Sequence, residues 1–178
     1  MRPLRLVNLL LFALLLGGSA LAYPHLPSRY PVHFDLQGHP NRWVGGTSLE
    51  WFLLSFLAVF VVGLLMGVGQ LALRRPELVN FQGRERLLRL PPERQREVLR
   101  YLVDWFDALG TALLVMFGLI QAGLYEGAHG RPFFTLTFLG TGVVALFIPV
   151  AVIVMTVTLN RRIEAQEREM AASVAARR

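Results

Sequence analysis

Long hydrophobic blocks alternate with polar segments along this chain. No block contains a charged residue, and each is about 18 residues or longer, which an α-helix needs to cross the hydrocarbon core of a bilayer at ~1.5 Å per residue. The blocks cover residues 6–23, 51–73, 108–125 and 133–159. The pattern therefore predicts an all-α membrane protein folded as a four-transmembrane-helix bundle. Gln121 is the one strongly polar residue inside the third block.

The first block has two interpretations. It follows Arg2 and Arg5 and ends in small residues at Ala20 and Ala22, an order typical of a cleavable secretory signal. Its length is also close to the ~20 residues of a spanning helix. We favour an uncleaved first span. Both interpretations place the next segment outside the cytoplasm.

The distribution of arginine predicts the orientation of the bundle. All 18 basic residues are Arg, and most of them lie in the N-terminus, in the loop 74–104 and in the tail 160–178. The exceptions are Arg29, Arg42 and Arg131. Because cationic loops are retained on the cytoplasmic side during insertion, we expect both termini in the cytoplasm and a multi-pass protein of the inner membrane. Residues 24–48 then form an extracytoplasmic cap.

The cap is rich in Pro and His. Apolar and polar residues alternate from Val32 to Gln37, and turn-forming residues follow at Gly38 and Pro40. A short strand with one apolar face is predicted here. The residues expected to recognise a ligand are Pro27, Pro31, His33, Asp35, Gly38, Pro40, Arg42 and Trp43.

Three cap residues, His33, Asp35 and His39, form a potential metal site, since imidazole and carboxylate groups bind zinc and related ions. We favour the opposing interpretation, in which these side chains hydrogen-bond exposed backbone and no cofactor is bound, because no compact metal motif is present. A pH-responsive cap is a further alternative, since His25 and His129 are also predicted to be external.

A cytoplasmic helix is predicted to begin at Pro92 and to continue into the third span. Proline is favoured in a first turn, and the carboxylate of Glu93 suits the positive end of the helix dipole. Apolar residues recur at helical spacing opposite a basic face, as in helices that lie on anionic headgroups. The apolar residues are Leu99, Leu102, Val103 and Phe106, and the basic ones are Arg94, Arg96 and Arg100. Lipid headgroups, and not nucleic acid, are therefore the expected partner.

Gly63 and Gly67 have the spacing that lets two membrane helices approach closely. We expect them to pack within the bundle, with a homodimer seam as the alternative. Asp104 and Asp107 lie where the third span begins, and intramembrane carboxylates are often functional. We expect structural pairing with Arg96 or Arg100 instead.

Composition argues against catalysis. The sequence has no cysteine, which excludes disulfides, thiolate metal sites and a Cys nucleophile. It also lacks the Gly-x-Ser-x-Gly, His-Glu-x-x-His, phosphate-binding and dinucleotide-binding motifs. We therefore expect no catalytic residues and a protein that is not an enzyme.

Two groups of motifs resemble those of the bacterial membrane family catalogued as domain of unknown function 1648. The cap contributes Leu26-Pro27, Pro31-Val-His33-Phe34, Gly38-His-Pro40 and Arg42-Trp43. The loop contributes Val79-Asn80-Phe81, Arg86-Leu-Leu and Leu90-Pro-Pro92-Glu93-Arg94. The best-understood proteins that this resemblance points to are SdpI-like immunity and signalling proteins, so it implies a related role, and no catalytic residues.

The sequence therefore predicts a non-enzymatic membrane protein whose cap binds or senses an extracytoplasmic ligand, such as a peptide or a membrane-protein partner. Its Arg-rich cytoplasmic face would relay the signal or anchor the protein. Two alternatives remain: an accessory subunit of a larger membrane complex, and an external metal site with a hydrolase or transport role.

Overall fold

The computed structural model describes residues 3–35, 39–45, 49–131 and 134–176, and the side chains of 134–139 lie outside this description. The helices are α1 (Pro3–Ala22), α2 (Glu50–Arg74), α3 (Arg84–Arg89), α4 (Pro92–Ala128) and α5 (Phe134–Ala175). Short 3-10 turns lie at Tyr23–His25 and Pro76–Leu78. Four of the helices, all except α3, are long and apolar enough to cross a membrane, as expected for a multi-pass membrane protein.

Helix α4 is the centre of the bundle, because it packs against α1, α2 and α5. The helices run alternately up and down, so that the bundle has two distinct ends. We call the end where α1 stops and α2 begins the hairpin end. The opposite end, where α2 stops and α4 begins, is called the arginine end.

A two-stranded antiparallel sheet joins α1 to α2. Strand β1 spans Arg29–Phe34 and strand β2 spans Pro40–Gly45, with Tyr30 opposite Val44. The protein is thus mostly helical and not all-α.

The predicted bounds of the strand were wrong. The alternation placed it from Val32 onward, whereas β1 begins at Arg29 and ends at Phe34. The backbone N–H of Asp35 donates to the carbonyl of His39, and the Asp35 carboxylate accepts from the His39 N–H at 2.8 Å. These bonds start the return of the chain at Asp35. Gly38, like Leu36 and Gln37, lies outside the described residues.

A hydrophobic core lies at the arginine end. It joins the first turns of α4 to α3 and to the last half of α5, and its buried members are Ala72, Leu87, Leu90, Val98, Leu99, Leu102, Leu159 and Ile163. The prediction that the apolar face of early α4 lies on lipid headgroups was therefore wrong. That face has protein partners, because Leu99 is 0% and Leu102 is 4% exposed.

Candidate functional site

The hairpin β1–β2 is fixed to the end of α4 through β1. Tyr30 is fully buried and meets Trp51 of α2 edge to face, with ring centroids 5.9 Å apart. Phe34 lies over Gly127 of α4, where an added Cβ would come within 2.6 Å of the phenyl Cζ. A side chain at 127 would displace this ring, so Gly127 lets β1 pack closely on the end of α4.

His129 adds a second attachment at the hairpin end. Its Nδ1 lies 2.8 Å from the carbonyl oxygen of Tyr125, and its Nε2 lies 3.1 Å from that of His25. A neutral imidazole can donate to one of these oxygens, and an imidazolium to both. The ring thereby ties the turn after α1 to the last turn of α4.

Strand β2 is exposed along most of its length and has β1 on one side and no other strand among the described residues. Trp43 is 44% exposed, and the guanidinium of Arg29 lies 5.8 Å from its ring centroid. Arg42 forms a salt bridge of 2.9 Å with Glu50. This strand therefore offers an open edge that carries an aromatic ring and a cation. Pro40 is exposed as well, whereas Pro31 is buried and Pro27 is half-buried.

The three residues proposed as metal ligands are divided between two contacts. Asp35 and His39 approach to 3.6 Å, whereas His33 places its Nδ1 2.6 Å from the side-chain oxygen of Asn41. In the part of the chain that the structure describes, no three His, Asp or Glu side chains are grouped so that they could hold a metal ion.

A buried polar cluster lies near the arginine end of the bundle. Asp107 of α4 is 0% exposed, and Arg5 of α1 donates from Nε to its carboxylate at 3.2 Å. Asn8 donates to the Asp107 carbonyl at 2.9 Å and accepts from Thr111 at 2.7 Å. The side-chain amide oxygen of Gln70 in α2 accepts hydrogen bonds from the guanidinium of Arg5. The cluster joins α1, α2 and α4.

Asp107 is paired in the structure, but its partner is not one of the two arginines that were predicted. Arg5 reaches it from α1, in place of Arg96 or Arg100 of its own helix. Sequence reasoning counted Arg5 only as a charge that flanks the first span. The one available signal was its helical spacing to Asn8, which places both side chains on the same face of α1.

Comparison with protein families bears on the first two helices. A family model described as a domain of unknown function (DUF1648) matches residues 10–63. The chain carries a DUF1648 domain. This domain holds most of α1, the whole hairpin and the first half of α2, whereas α4, to which the hairpin is fixed, lies beyond it. No curated protein and no solved structure matches the chain.

The two glycines with close-packing spacing lie at and just past the end of the DUF1648 domain. Gly63 and Gly67 are exposed, and a Cβ built on either meets no described atom within 4 Å. The prediction that they pack within the bundle was therefore wrong. The close approaches occur at Gly69, near Phe106, and at Gly110, where a Cβ would meet Val62 at 2.9 Å. Both face the α2–α4 seam, which Gly63 and Gly67 do not reach.

The predicted loop motif follows the DUF1648 domain. Pro92 is the first residue of α4, as predicted, and Glu93 is exposed in its first turn. Asn80 is exposed in the turn before α3. Arg94 is the member with a clear contact: its Nη1 donates to Glu169 at 3.0 Å and to the carbonyl of Gln166 at 3.3 Å. The motif therefore joins the start of α4 to the end of α5.

A neighbouring ionic cluster joins α3 to α5. Arg86 of α3 donates to both Glu164 and Glu167 of α5, and its hydrogen bond to Glu167 lowers the pKa of that carboxyl below the ordinary value of 4.5. A carboxyl with a lowered folded pKa stabilises the fold above its unfolded pKa, and the stabilisation is lost as the pH falls through the folded value.

Acidification below pH 4.5 is therefore expected to loosen the end of α5 from α3. Spin labels at Leu88→Cys and Ala171→Cys should give a broader distance distribution at low pH than at pH 7. Glu167→Gln should show the broad distribution already at pH 7, whereas Glu85→Gln, which alters an exposed carboxylate of α3 beside Arg86, should behave as the parent. A distribution that is equally narrow at all these pH values would contradict the assignment.

Proposed function

We propose that this protein is a non-enzymatic membrane binding module, and that the open edge of β2 receives an extracytoplasmic peptide. The supporting observation is the contrast between the two strands. The β1 strand is fixed to the bundle through Tyr30 and Phe34, while β2 is exposed and has no second neighbour among the described residues. A free strand edge is a template for a further strand, and the side chains beside it supply specificity.

Arginine supports the orientation that this proposal requires. Most of the Arg residues lie in the N-terminus, in the segment between α2 and α4 and at the end of α5. We therefore place these three segments on the cytoplasmic side of an inner membrane. The exposed Arg residues at this end then meet anionic headgroups. The hairpin lies on the opposite, extracytoplasmic side.

The orientation is tested with a single thiol, because the chain has no cysteine of its own. Asn41→Cys, on exposed β2, should react with a membrane-impermeant maleimide in intact cells, and Gln82→Cys, exposed at the arginine end, should react only after permeabilisation. The reverse result would place the hairpin in the cytoplasm and refute the proposal.

Peptide binding is tested by photo-cross-linking in living cells. A benzophenone amino acid at Trp43 should give a discrete peptide adduct, whereas the same group at Leu53, which is 64% exposed on α2, should give lipid adducts. A synthetic copy of the captured peptide should bind the purified protein, and Trp43→Ala should weaken it about thirtyfold, the ~2 kcal/mol of an interface hot spot.

Two further variants separate binding from fixation of the hairpin. Gly127→Leu should displace Phe34 and weaken peptide binding even though it leaves β2 unchanged. Gly63→Leu makes the same change on α2, where an added Cβ meets no described atom within 4 Å, and should leave peptide binding unchanged. Lipid adducts alone at Trp43, or a captured peptide whose affinity does not depend on Trp43, would overturn the proposal.

A further inference from the structure

A crevice of about 470 Å³ opens between α1 and α4 in the half of the bundle nearer the hairpin. Its volume is within the ~300–1,000 Å³ of small-molecule sites. Aliphatic side chains and small residues form most of its wall, including Leu11, Leu15, Gly18, Leu114, Leu119 and Ala122. Its inner part is therefore suited to an aliphatic chain.

One polar atom in this wall, the Oε1 of Gln121, has no hydrogen-bond partner among the described residues. Gln121 is 6% exposed and lines the crevice, and its Nε2 donates to the backbone carbonyl of Trp51 at 3.3 Å. That bond fixes the amide orientation, because the reverse orientation would set two oxygens against each other. Among the described residues, no donor reaches the other atom of the amide, Oε1, although it is buried.

A buried acceptor without a donor is costly, and more so at membrane depth, where bulk water is absent. Most of the side chains in the surrounding wall are hydrocarbon and have no hydrogen-bond donor. A molecule in the crevice can supply this donor when the Gln121 side chain turns so that Oε1 faces it, provided that the rest of the molecule is apolar enough to enter.

The mouth of the crevice is polar. Glu126 and Tyr125 lie there, about one to two helical turns from Gln121, and Glu126 is paired with Arg131 at 2.9 Å. A headgroup can thus remain at the hairpin end while the chain extends inward towards Leu11.

We propose that the crevice binds a single-chain amphiphile whose hydroxyl or amide N–H, close to the start of an aliphatic chain, donates a hydrogen bond to Gln121 Oε1. The site is separate from the open edge of β2 and goes beyond peptide recognition. The shared chemistry of its ligand is one donor followed by an unbranched hydrocarbon chain.

Trp51 lines the crevice and serves as its reporter. With Trp43→Phe and Trp105→Phe, Trp51 is the sole tryptophan of the full-length chain. The protein is placed in phosphatidylcholine nanodiscs and titrated with 2-bromododecan-1-ol, or with 2-bromododecane, which has the same chain and quencher but no donor. We expect saturable quenching by both, with at least a tenfold lower half-saturation concentration for the alcohol.

Three variants isolate the cause. Gln121→Leu removes the acceptor and should abolish the preference for the alcohol. Gly118→Leu removes no hydrogen bond and fills open space in the crevice, so it should abolish saturable quenching by both probes. Gly63→Leu makes the same change on exposed α2, outside the crevice, and should leave both titrations unchanged.

Unlabelled dodecanol and N-ethyl dodecanamide, used as competitors, distinguish a hydroxyl donor from an amide donor. Equal half-saturation by the alcohol and the alkane in the parent would overturn the proposal, since the crevice would then accept any bilayer chain. Non-saturable quenching, or a preference that survives Gln121→Leu while Gly118→Leu has no effect, would overturn it as well. None of these outcomes depends on a peptide at β2.

Discussion

Replacing Asp107 with alanine is expected to lower the free energy of unfolding by about 3–5 kcal/mol. Asp107 is fully buried, and its carboxylate is the anionic partner of Arg5, whose side chain is 21% exposed. Removing one member of a buried ion pair leaves the other charge without compensation, which costs far more than the pair contributes while intact. Equilibrium unfolding in mixed detergent micelles measures the change.

Two controls determine whether charge is the cause. Asp104→Ala removes an exposed carboxylate one turn earlier in α4 and should change stability by about 1 kcal/mol or less. The double variant Arg5→Leu with Asp107→Leu replaces both charges by apolar groups and should be more stable than Asp107→Ala alone. If Asp104→Ala and Asp107→Ala cost the same, the buried pair has no special role in the bundle.

Gly83→Ala is expected to destabilise the arginine end by about 2–5 kcal/mol, for two separable reasons. Gly83 has φ +100°, a left-handed conformation that costs an L-residue roughly 1–2 kcal/mol. An added Cβ would also come within 2.6 Å of Asn160 Oδ1 in α5, and such overpacking typically costs ~1–3 kcal/mol. The same unfolding titration measures the total.

Gly130 provides the matched comparison for Gly83. It also has a positive φ, +73°, but a Cβ there meets no described atom within 4 Å, so Gly130→Ala isolates the backbone term. The double variant Gly83→Ala with Asn160→Ala removes the steric contact, so it should regain the part of the stability that Gly83→Ala loses to that contact. Two results would show that the contact between position 83 and α5 does not affect stability. One is an equal loss in Gly83→Ala and Gly130→Ala, and the other is no gain when Asn160→Ala is added to Gly83→Ala.

Hydrophobic block length was sufficient to predict four helices that can span a membrane, since that signal is local and long. The start of α4 was also predictable, because Pro92 and Glu93 are favoured in a first turn. The DUF1648 resemblance was readable from the Pro, His and Trp residues of the hairpin, and it is confirmed for residues 10–63.

The contacts that organise the sites were beyond sequence reasoning because they are far apart in the chain. Arg5 and Asp107 are separated by 102 residues, and no local spacing relates them. Phe34 and Gly127 become neighbours only when α4 returns to the hairpin end. The same limit explains the error about early α4: an apolar stripe reveals that a helix is covered on one face, and not whether lipid or α5 covers it.

Helix α4 is uninterrupted from Pro92 to Ala128, and it touches the hairpin at Gly127 and the end of α5 through Arg94. These two points are about 50 Å apart at ~1.5 Å per residue. The contact of Phe34 with Gly127 and the pairing of Arg94 with Glu169 therefore lie at opposite ends of one continuous helix.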